Sequence, residues 1–246
     1  MTRTEWIAKC NHWKQKWPVM QPEYAANNDD YQLNLYAVLD AVNQHSTADM
    51  TLMGDAGSIS YAGPVALNAK PGQRFVFSPA QADMGWAVPA SIGVALASNK
   101  PVISITGDGS FMTNLQELAV IKQHELPVKI LILNNGGYLS IKNTQNKYFE
   151  GRVYGTSSET GLWFPSFKAI ADTFAMKYHD ARLANDLDKF GEWFNEPGPA
   201  IINCLCRRDQ EIAPSQALKN GRQAGLHDMA PFLSDEELAA EMIVKI

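Results

Sequence analysis

Two apolar runs set the strongest limit on what this chain can become: residues 102–106 (VISIT) and 128–133 (VKILIL). Both are short, rich in β-branched residues and almost without polar alternation. That pattern suits strands covered on both faces. Amphipathic helical spacing lies between them, and a strand–helix–strand unit of this kind brings two parallel strands to the same sheet edge. Each run ends in a tight polar turn. The first offers Asp108 between Gly107 and Gly109, followed by Ser110; the second offers Asn134 and Asn135 before Gly136 and Gly137. Turns at the carboxyl ends of parallel strands flank the ligand crevice of an open α/β sheet, and their glycines let backbone approach a ligand closely.

The turn chemistry points to a diphosphate held through a cation. No lysine or arginine follows the glycine turn, GDGS lacks the GK[ST] of a phosphate loop, and the upstream GDAGS (54–58) lacks the GxGxxG spacing of a dinucleotide site. A divalent cation between carboxylate and diphosphate is the economical alternative, and magnesium takes such hard oxygen ligands. Asp108 supplies charge and Asn135 a carbonyl oxygen. Backbone N–H groups at Gly109, Ser110 and the next helix start suit phosphate oxygens.

The rest of the chain alternates in the same way. Strands are predicted at 50–53, 74–77, 176–179 and 199–206. Helices are predicted at 31–45, 60–68 (interrupted by Gly63 and Pro64), 86–98, 165–174 and 187–194, with one more after GDGS. This alternation argues for an α/β fold, a doubly wound, mainly parallel six-stranded sheet flanked by helices. Residues 142–163 show no period, as expected of a functional loop. The chain divides into an N-terminal extension (1–30), a ligand-binding domain (31–206) and a tail (207–246) whose acidic Ser234–Asp235–Glu236–Glu237 run opens a short helix. Trp6, Cys10, Trp13 and Trp17 recur at helical spacing before Pro18. That stripe either packs on this chain's own core or faces a partner.

Composition narrows the partners. The net charge of −5 gives no footprint for nucleic acid or an anionic membrane, and no apolar run approaches the roughly 20 residues of a membrane span. Of the three cysteines, Cys204 and Cys206 share one strand face and read as small buried hydrophobes. An odd count suits a reducing cytoplasm. His12, His45, His124, His179 and His227 show no motif spacing.

The GDG at 107–109 and NN at 134–135, within GDGSFMTNLQELA and LPVKILILNN, resemble the signature of thiamine-diphosphate-dependent enzymes. WKQKWPV, DAGS, QADMGWAVPASIG, GYLSIKNTQ and HDMAPFLSDEEL extend the likeness over most of the chain, closest to the cofactor-binding domain of the acetolactate (acetohydroxyacid) synthase-like group. The resemblance implies thiamine diphosphate and Mg2+ as cofactors. Asp108 and Asn135 would be side-chain magnesium ligands and Gly137 a main-chain one, at a position where the family often has a larger residue. Gly107, Gly109 and Ser110 would border the diphosphate, with Ala56, Gly57 and Ser58 on its other side in place of the more usual GxGQH. Met84 would wedge the cofactor into a bent shape. Ala82, often glycine in the family, would accept a hydrogen bond from the aminopyrimidine. Tyr138, Leu139 and Ser140 would lie near the diphosphate. Plainer alternatives stand beside these: Asp108 or Ser58 as a helix cap, and Met84 as a core residue.

Family members usually carry three domains, and the glutamate that activates the cofactor lies on the first. This chain is too short to include it, so the resemblance implies no catalytic residue here. It implies a second subunit carrying the pyrimidine-binding domain, in a hetero-oligomer such as a heterotetramer. The starting methionine and complete-looking tail favour a natural subunit over an excised domain. The implied reaction is decarboxylation of a 2-oxoacid with ligation of the product to a carbonyl acceptor. Alternatives are simple decarboxylation of a phosphono- or sulfopyruvate, a non-catalytic regulatory subunit, or a nucleotide-phosphate binder. Lys142, Lys147 and Arg152, expected in the 142–163 loop, either meet an anionic substrate group or are solvated.

Overall fold

A computed structural model describes residues 1–25 and 32–244; Tyr31, the expected start of the first domain helix, lies outside the described residues. Six strands, β1 (Thr51–Gly54), β2 (Arg74–Phe77), β3 (Val102–Gly107), β4 (Val128–Asn134), β5 (Lys177–Ala181) and β6 (Ala200–Leu205), form one sheet in the order β2-β1-β3-β4-β6-β5. All its pairs are parallel. This is the doubly wound α/β sheet that the strand–helix alternation predicts. The chain steps from β1 to β2 in one direction and from β3 to β4 in the other, so the order reverses between β1 and β3, where open sheets bind ligands.

The two apolar runs are covered on both sides. Ile103, Ile105, Leu131 and Leu133 join one core cluster with α2 (Leu35–His45), α3 (Ser58–Ala66) and α9 (Phe190–Asn195). Val102, Val128, Ile130 and Ile132 join the other with α4 (Ala87–Ser98), α6 (Glu117–Gln123) and α8 (Phe167–Thr173). Alternate residues thus feed opposite faces, which is why the runs read as continuously apolar. β3 and β4 pair from Val102↔Val128 to Gly107↔Leu133, so their terminal turns emerge side by side.

Several predicted elements differ. α2 begins at Leu35 because the Asn34 side chain accepts from the Tyr36 N–H and caps it; Leu33 stays extended and donates to the Leu205 carbonyl (2.8 Å). α3 starts two residues early and runs through Gly63 and Pro64 without a break. Packing overrides propensity here: a Cβ at Gly63 would meet Phe75 Cζ at 2.9 Å. The single helix expected after GDGS is divided into α5 (Asp108–Phe111), a 3-10 turn (Met112–Asn114) and α6. The helix expected at 187–194 is likewise a 3-10 segment (Ala184–Lys189) followed by α9.

The expected loop at 142–163 opens instead with α7 (Leu139–Tyr148), so Lys142 and Lys147 are helical. Leu139 is its one buried residue, so no apolar period marks it. Polar bonds hold it: Asn143 Nδ2 donates to Gln210 O (3.1 Å) and Gln145 Nε2 to Tyr154 O (3.2 Å).

The tryptophan stripe does not pack on the core. α1 (Arg3–Lys16) buries no residue, and Trp6 and Ile7 are exposed. It is fastened to α10 (Asp235–Glu241), where the Glu241 carboxylate receives Lys9 Nζ, His12 Nε2, Trp13 Nε1 and Lys16 Nζ at 2.5–2.9 Å. A hairpin of β7 (Leu218–Lys219) and β8 (Arg222–Gln223), not among the predicted strands, precedes α10; it turns on Asn220–Gly221, both at positive φ, as a two-residue Asn-Gly loop does. Cys204 and Cys206 are both buried in one cluster, and burial pushes both thiols up. No helix among the described residues is long and apolar enough to cross a membrane.

Candidate functional site

The turns after β1, β3 and β4 enclose a cleft of about 230 Å³. Every residue that the sequence assigns to the cofactor lines it: Ala56, Gly57 and Ser58 from the first turn, Gly107 to Ser110 from the second, and Asn135, Gly137, Tyr138, Leu139 and Ser140 from the third, with Ala82 and Met84 from the loop before α4. Asn134 and Gly136 of the second polar turn do not line it.

Asp108 joins two of the turns. Its Oδ1 accepts from the Gly109 N–H (2.7 Å), and its Oδ2 accepts from the N–H groups of Gly136 (2.7 Å) and Gly137 (3.0 Å). The residue is 1% exposed, and burial lifts its carboxyl to about 6 despite these donors. Oδ1, with one hydrogen bond, keeps a lone pair. The helix-cap alternative is not what forms: Gly107 caps α5, and Asp108 reaches across to the β4 turn. Ser58 is the first residue of α3, whose cap, Gly57, makes no side-chain bond. Met84 is 39% exposed and opens on the cleft, which excludes a core role.

The donor set fits a cation bound together with a phosphorylated ligand. Among the described residues no three His, Cys, Asp or Glu side chains could hold a metal alone. Asp108, the Asn135 amide and the Gly137 main chain instead offer a partial shell of hard oxygens that phosphate and water oxygens would complete. A second observation agrees. The Ser140 Oγ is buried, lines the cleft and has no hydrogen-bond partner in the protein, and such a group calls for a ligand or water.

Glycine is required at two points. A Cβ on Gly109 would lie 2.3 Å from Tyr138 Cε1, so the tyrosine ring lies close over the turn after β3. A Cβ on Gly137 would lie 2.0 Å from the Thr156 carbonyl oxygen. Ala82 has φ +53°, a left-handed conformation that glycine adopts with less strain.

Other contributors escaped the sequence reading. Asp55, 2% exposed, accepts from the N–H groups of Ala56 (2.7 Å) and Gly85 (2.9 Å) and from Thr106 Oγ1 (2.7 Å); burial raises its carboxyl. The carboxylate in GDAGS at a strand end was a visible signal. Arg208 had none: it follows β6, yet its Nε would be 3.3 Å from a Cβ on Gly136. Lys142 and Arg208 line a small cavity with Asn135 behind the β4 turn, whereas Arg152 lines neither this cavity nor the main cleft.

Residues 55–204 match the family model for the C-terminal TPP-binding domain of thiamine pyrophosphate enzymes. Among similar proteins, an acetolactate synthase large subunit of Cyanidium caldarium is 28% identical over 227 residues, 90% of this chain and 37% of that protein. The acetolactate synthase of Arthrospira platensis is 30% identical over 176 residues, 70% of this chain and 30% of that protein. The isozyme 2 large subunit of Escherichia coli is 28% identical over 208 residues, 82% of this chain and 37% of that protein. The chain spans about a third of the length of these curated relatives.

Proposed function

Because this chain belongs to the thiamine pyrophosphate enzymes, as their C-terminal cofactor-binding domain related to acetolactate synthase, we propose that it holds the diphosphate and magnesium of a 2-oxoacid decarboxylase and carboligase. A second chain carrying the pyrimidine-binding domain and its glutamate completes the enzyme. The observation that carries this reading is the convergence of Asp108, Asn135, Gly137, Ser110 and the partnerless Ser140 hydroxyl in one cleft.

The chemistry that the bound cofactor supplies is electron uptake at its thiazolium ring as carbon dioxide leaves the 2-oxoacid. Asp108, Asn135 and the Gly137 carbonyl would hold the magnesium. The Gly109 and Ser110 turn and the Ser140 hydroxyl would bind phosphate oxygens. Ala56, Gly57, Ser58 and Tyr138 would close the sides, Ala82 would accept from the pyrimidine end, and Met84 would enforce the bend.

Two features support a site completed from elsewhere. The cleft's volume of about 230 Å³ is below the roughly 300–1,000 Å³ of complete small-molecule pockets. Its rim also leaves Tyr61, Met84 and Ile141 exposed. The assembly is therefore read as a hetero-oligomer, and the three free cysteines fit a cytoplasmic setting.

Calorimetric titration with magnesium and thiamine diphosphate, for the unaltered chain and for Asp108→Ala, tests the site. Binding is expected only with magnesium present and is lost in the variant; equal binding by both would refute it. Product analysis with pyruvate tests the reaction in chain co-expressed with a pyrimidine-binding domain. An acyloin or acetohydroxyacid supports ligation, and an aldehyde alone means simple decarboxylation. Enzyme-like turnover by this chain alone would overturn the two-chain arrangement.

A further inference from the structure

Asp55 does not line the cleft, yet its carboxylate touches three of the segments that build it. It caps its own turn through the Ala56 N–H (2.7 Å) and takes the Thr106 hydroxyl (2.7 Å) just before the Gly107–Asp108 turn. It also takes the N–H of Gly85 (2.9 Å), the residue after Met84. The Met84–Gly85 peptides are held by other groups too. Asn114 Nδ2 donates to the Gly85 carbonyl (2.9 Å), and the Thr113 hydroxyl, whose one proton has its nearest acceptor in the Ser110 carbonyl (2.8 Å), lies 3.3 Å from the Met84 carbonyl. Gly85 has φ +85°, and a Cβ there would meet Thr113 Oγ1 at 2.0 Å. The backbone is therefore clamped between the β1 turn and the 3-10 turn that follows Asp108, while the Met84 side chain stays exposed toward the cleft.

We propose that Asp55 is the positioning residue that sets Met84 against the cofactor, by tying the Gly85 backbone to the β1 turn and to the end of β3. This rests on the thiamine diphosphate reading of the cleft. The Gly85 N–H points at a side chain outside the sheet ladder, so without the carboxylate a buried donor is left unmatched. The loop then opens without loss of the sheet, because the Asp55 side chain takes no part in strand pairing and its backbone N–H, which donates to the Ile105 carbonyl (3.0 Å), survives any substitution but proline. Asparagine keeps an acceptor for Gly85 and Ala56, and the Thr106 hydroxyl can turn to accept from its amide.

The test uses the full chain, with Asp55→Ala, Asp55→Asn, Met84→Ala and the Asp55→Ala/Met84→Ala double variant. Amide hydrogen exchange is followed in a peptide covering 84–87 and in one covering β4, with no cofactor present. In Asp55→Ala, exchange at 84–87 is expected to rise about tenfold or more while β4 is unchanged; Asp55→Asn is expected to restore it to within about threefold of the unaltered chain. Magnesium and thiamine diphosphate are then titrated by calorimetry. Asp55→Ala is expected to weaken binding about tenfold, and that effect is expected to shrink to less than about threefold in the Met84→Ala background.

Exchange at 84–87 unchanged by Asp55→Ala overturns the proposal whatever the cofactor does. So does an equal loss of binding with and without Met84. If Asp55→Ala fails to fold, Asp55→Asn carries the test: exchange at 84–87 faster than in the unaltered chain with β4 unchanged sustains the clamp, whereas faster exchange in β4 as well would assign Asp55 a general structural role and overturn it. Absence of binding by the unaltered chain even when co-expressed with a pyrimidine-binding domain, with the exchange effect intact, refutes the cofactor reading and with it the role of Met84, but leaves the Asp55–Gly85 clamp in place.

Discussion

Gly137→Ala puts the site geometry to its most demanding test. The added Cβ would stand 2.0 Å from the Thr156 carbonyl oxygen and 3.0 Å from the carbonyl carbon, whereas carbon and oxygen ordinarily approach to roughly 3.3–3.6 Å. The segment at 156–157 must therefore retreat by more than about 1 Å. It is bridged to Gly137 and receives the Tyr138 N–H at 3.0 Å. Overpacking costs about 1–3 kcal/mol, and the strained Tyr138 bond adds about 1 kcal/mol, so the variant should lose roughly 2–4 kcal/mol. For a chain of this size that lowers the melting temperature by about 5–15 °C. The same shift displaces the Gly137 N–H from Asp108 Oδ2, 3.0 Å away, and the main-chain carbonyl proposed for magnesium. A metal site tolerates displacement of only about 0.5 Å, so cofactor binding should weaken by at least about tenfold. Scanning calorimetry without ligand and titration calorimetry with magnesium and thiamine diphosphate read the two effects. A variant that melts within about 2 °C of the parent and binds equally well would refute the close packing and the ligand role together.

Three further outcomes are expected. Ser140→Ala removes a buried hydroxyl with no partner, so the ligand-free protein should gain up to about 1 kcal/mol in denaturant titration while cofactor affinity falls about tenfold; a loss in stability would mean the hydroxyl is bonded. Gly93→Ala introduces a Cβ into open space on α4 and should stabilise by about 0.5–1 kcal/mol, read as a small rise in melting temperature; a fall would mean that the helix face is covered. Lys129, 1% exposed, donates to the Glu196 and Gly198 carbonyls at 2.6 Å, and burial pulls its ammonium down to about 8. The unfolded chain then holds more protons from about pH 8 to 10.5. Stability relative to Lys129→Met should accordingly rise across that window, by at most about 3 kcal/mol; a pH-independent difference between the two proteins would refute it.

Much of the architecture was readable because one local rule governed it. A strand covered on both faces needs apolar residues at consecutive positions, and β3 and β4 carry them. Elements with other supports were not readable. α7 has one buried residue and is held by polar bonds to Gln210 and Tyr154, so it left no apolar period. The helix after GDGS is broken where Asn114 turns to the Gly85 carbonyl, a group distant in sequence. The tryptophan stripe of α1 suited either the core or a partner; it does not pack on the core, and Trp13 and Lys16 bond Glu241 at the far end of the chain.

The candidate site divides along the same line. GDGS and NN carry their meaning in residue type and order, because a cation and a diphosphate demand oxygen donors and bare backbone at strand ends, and both demands are local. The sequence by itself therefore determined the sheet, the family resemblance and the identity of the residues now found around one cleft. Only the tertiary structure decided how those turns are held to one another: Asp108 across to Gly136 and Gly137, Asp55 across to Gly85 and Thr106, and Thr156 against Gly137. These are hydrogen bonds and steric limits between segments far apart in the chain, and their partners are set by the parallel stacking of β1, β3 and β4, which no local pattern records.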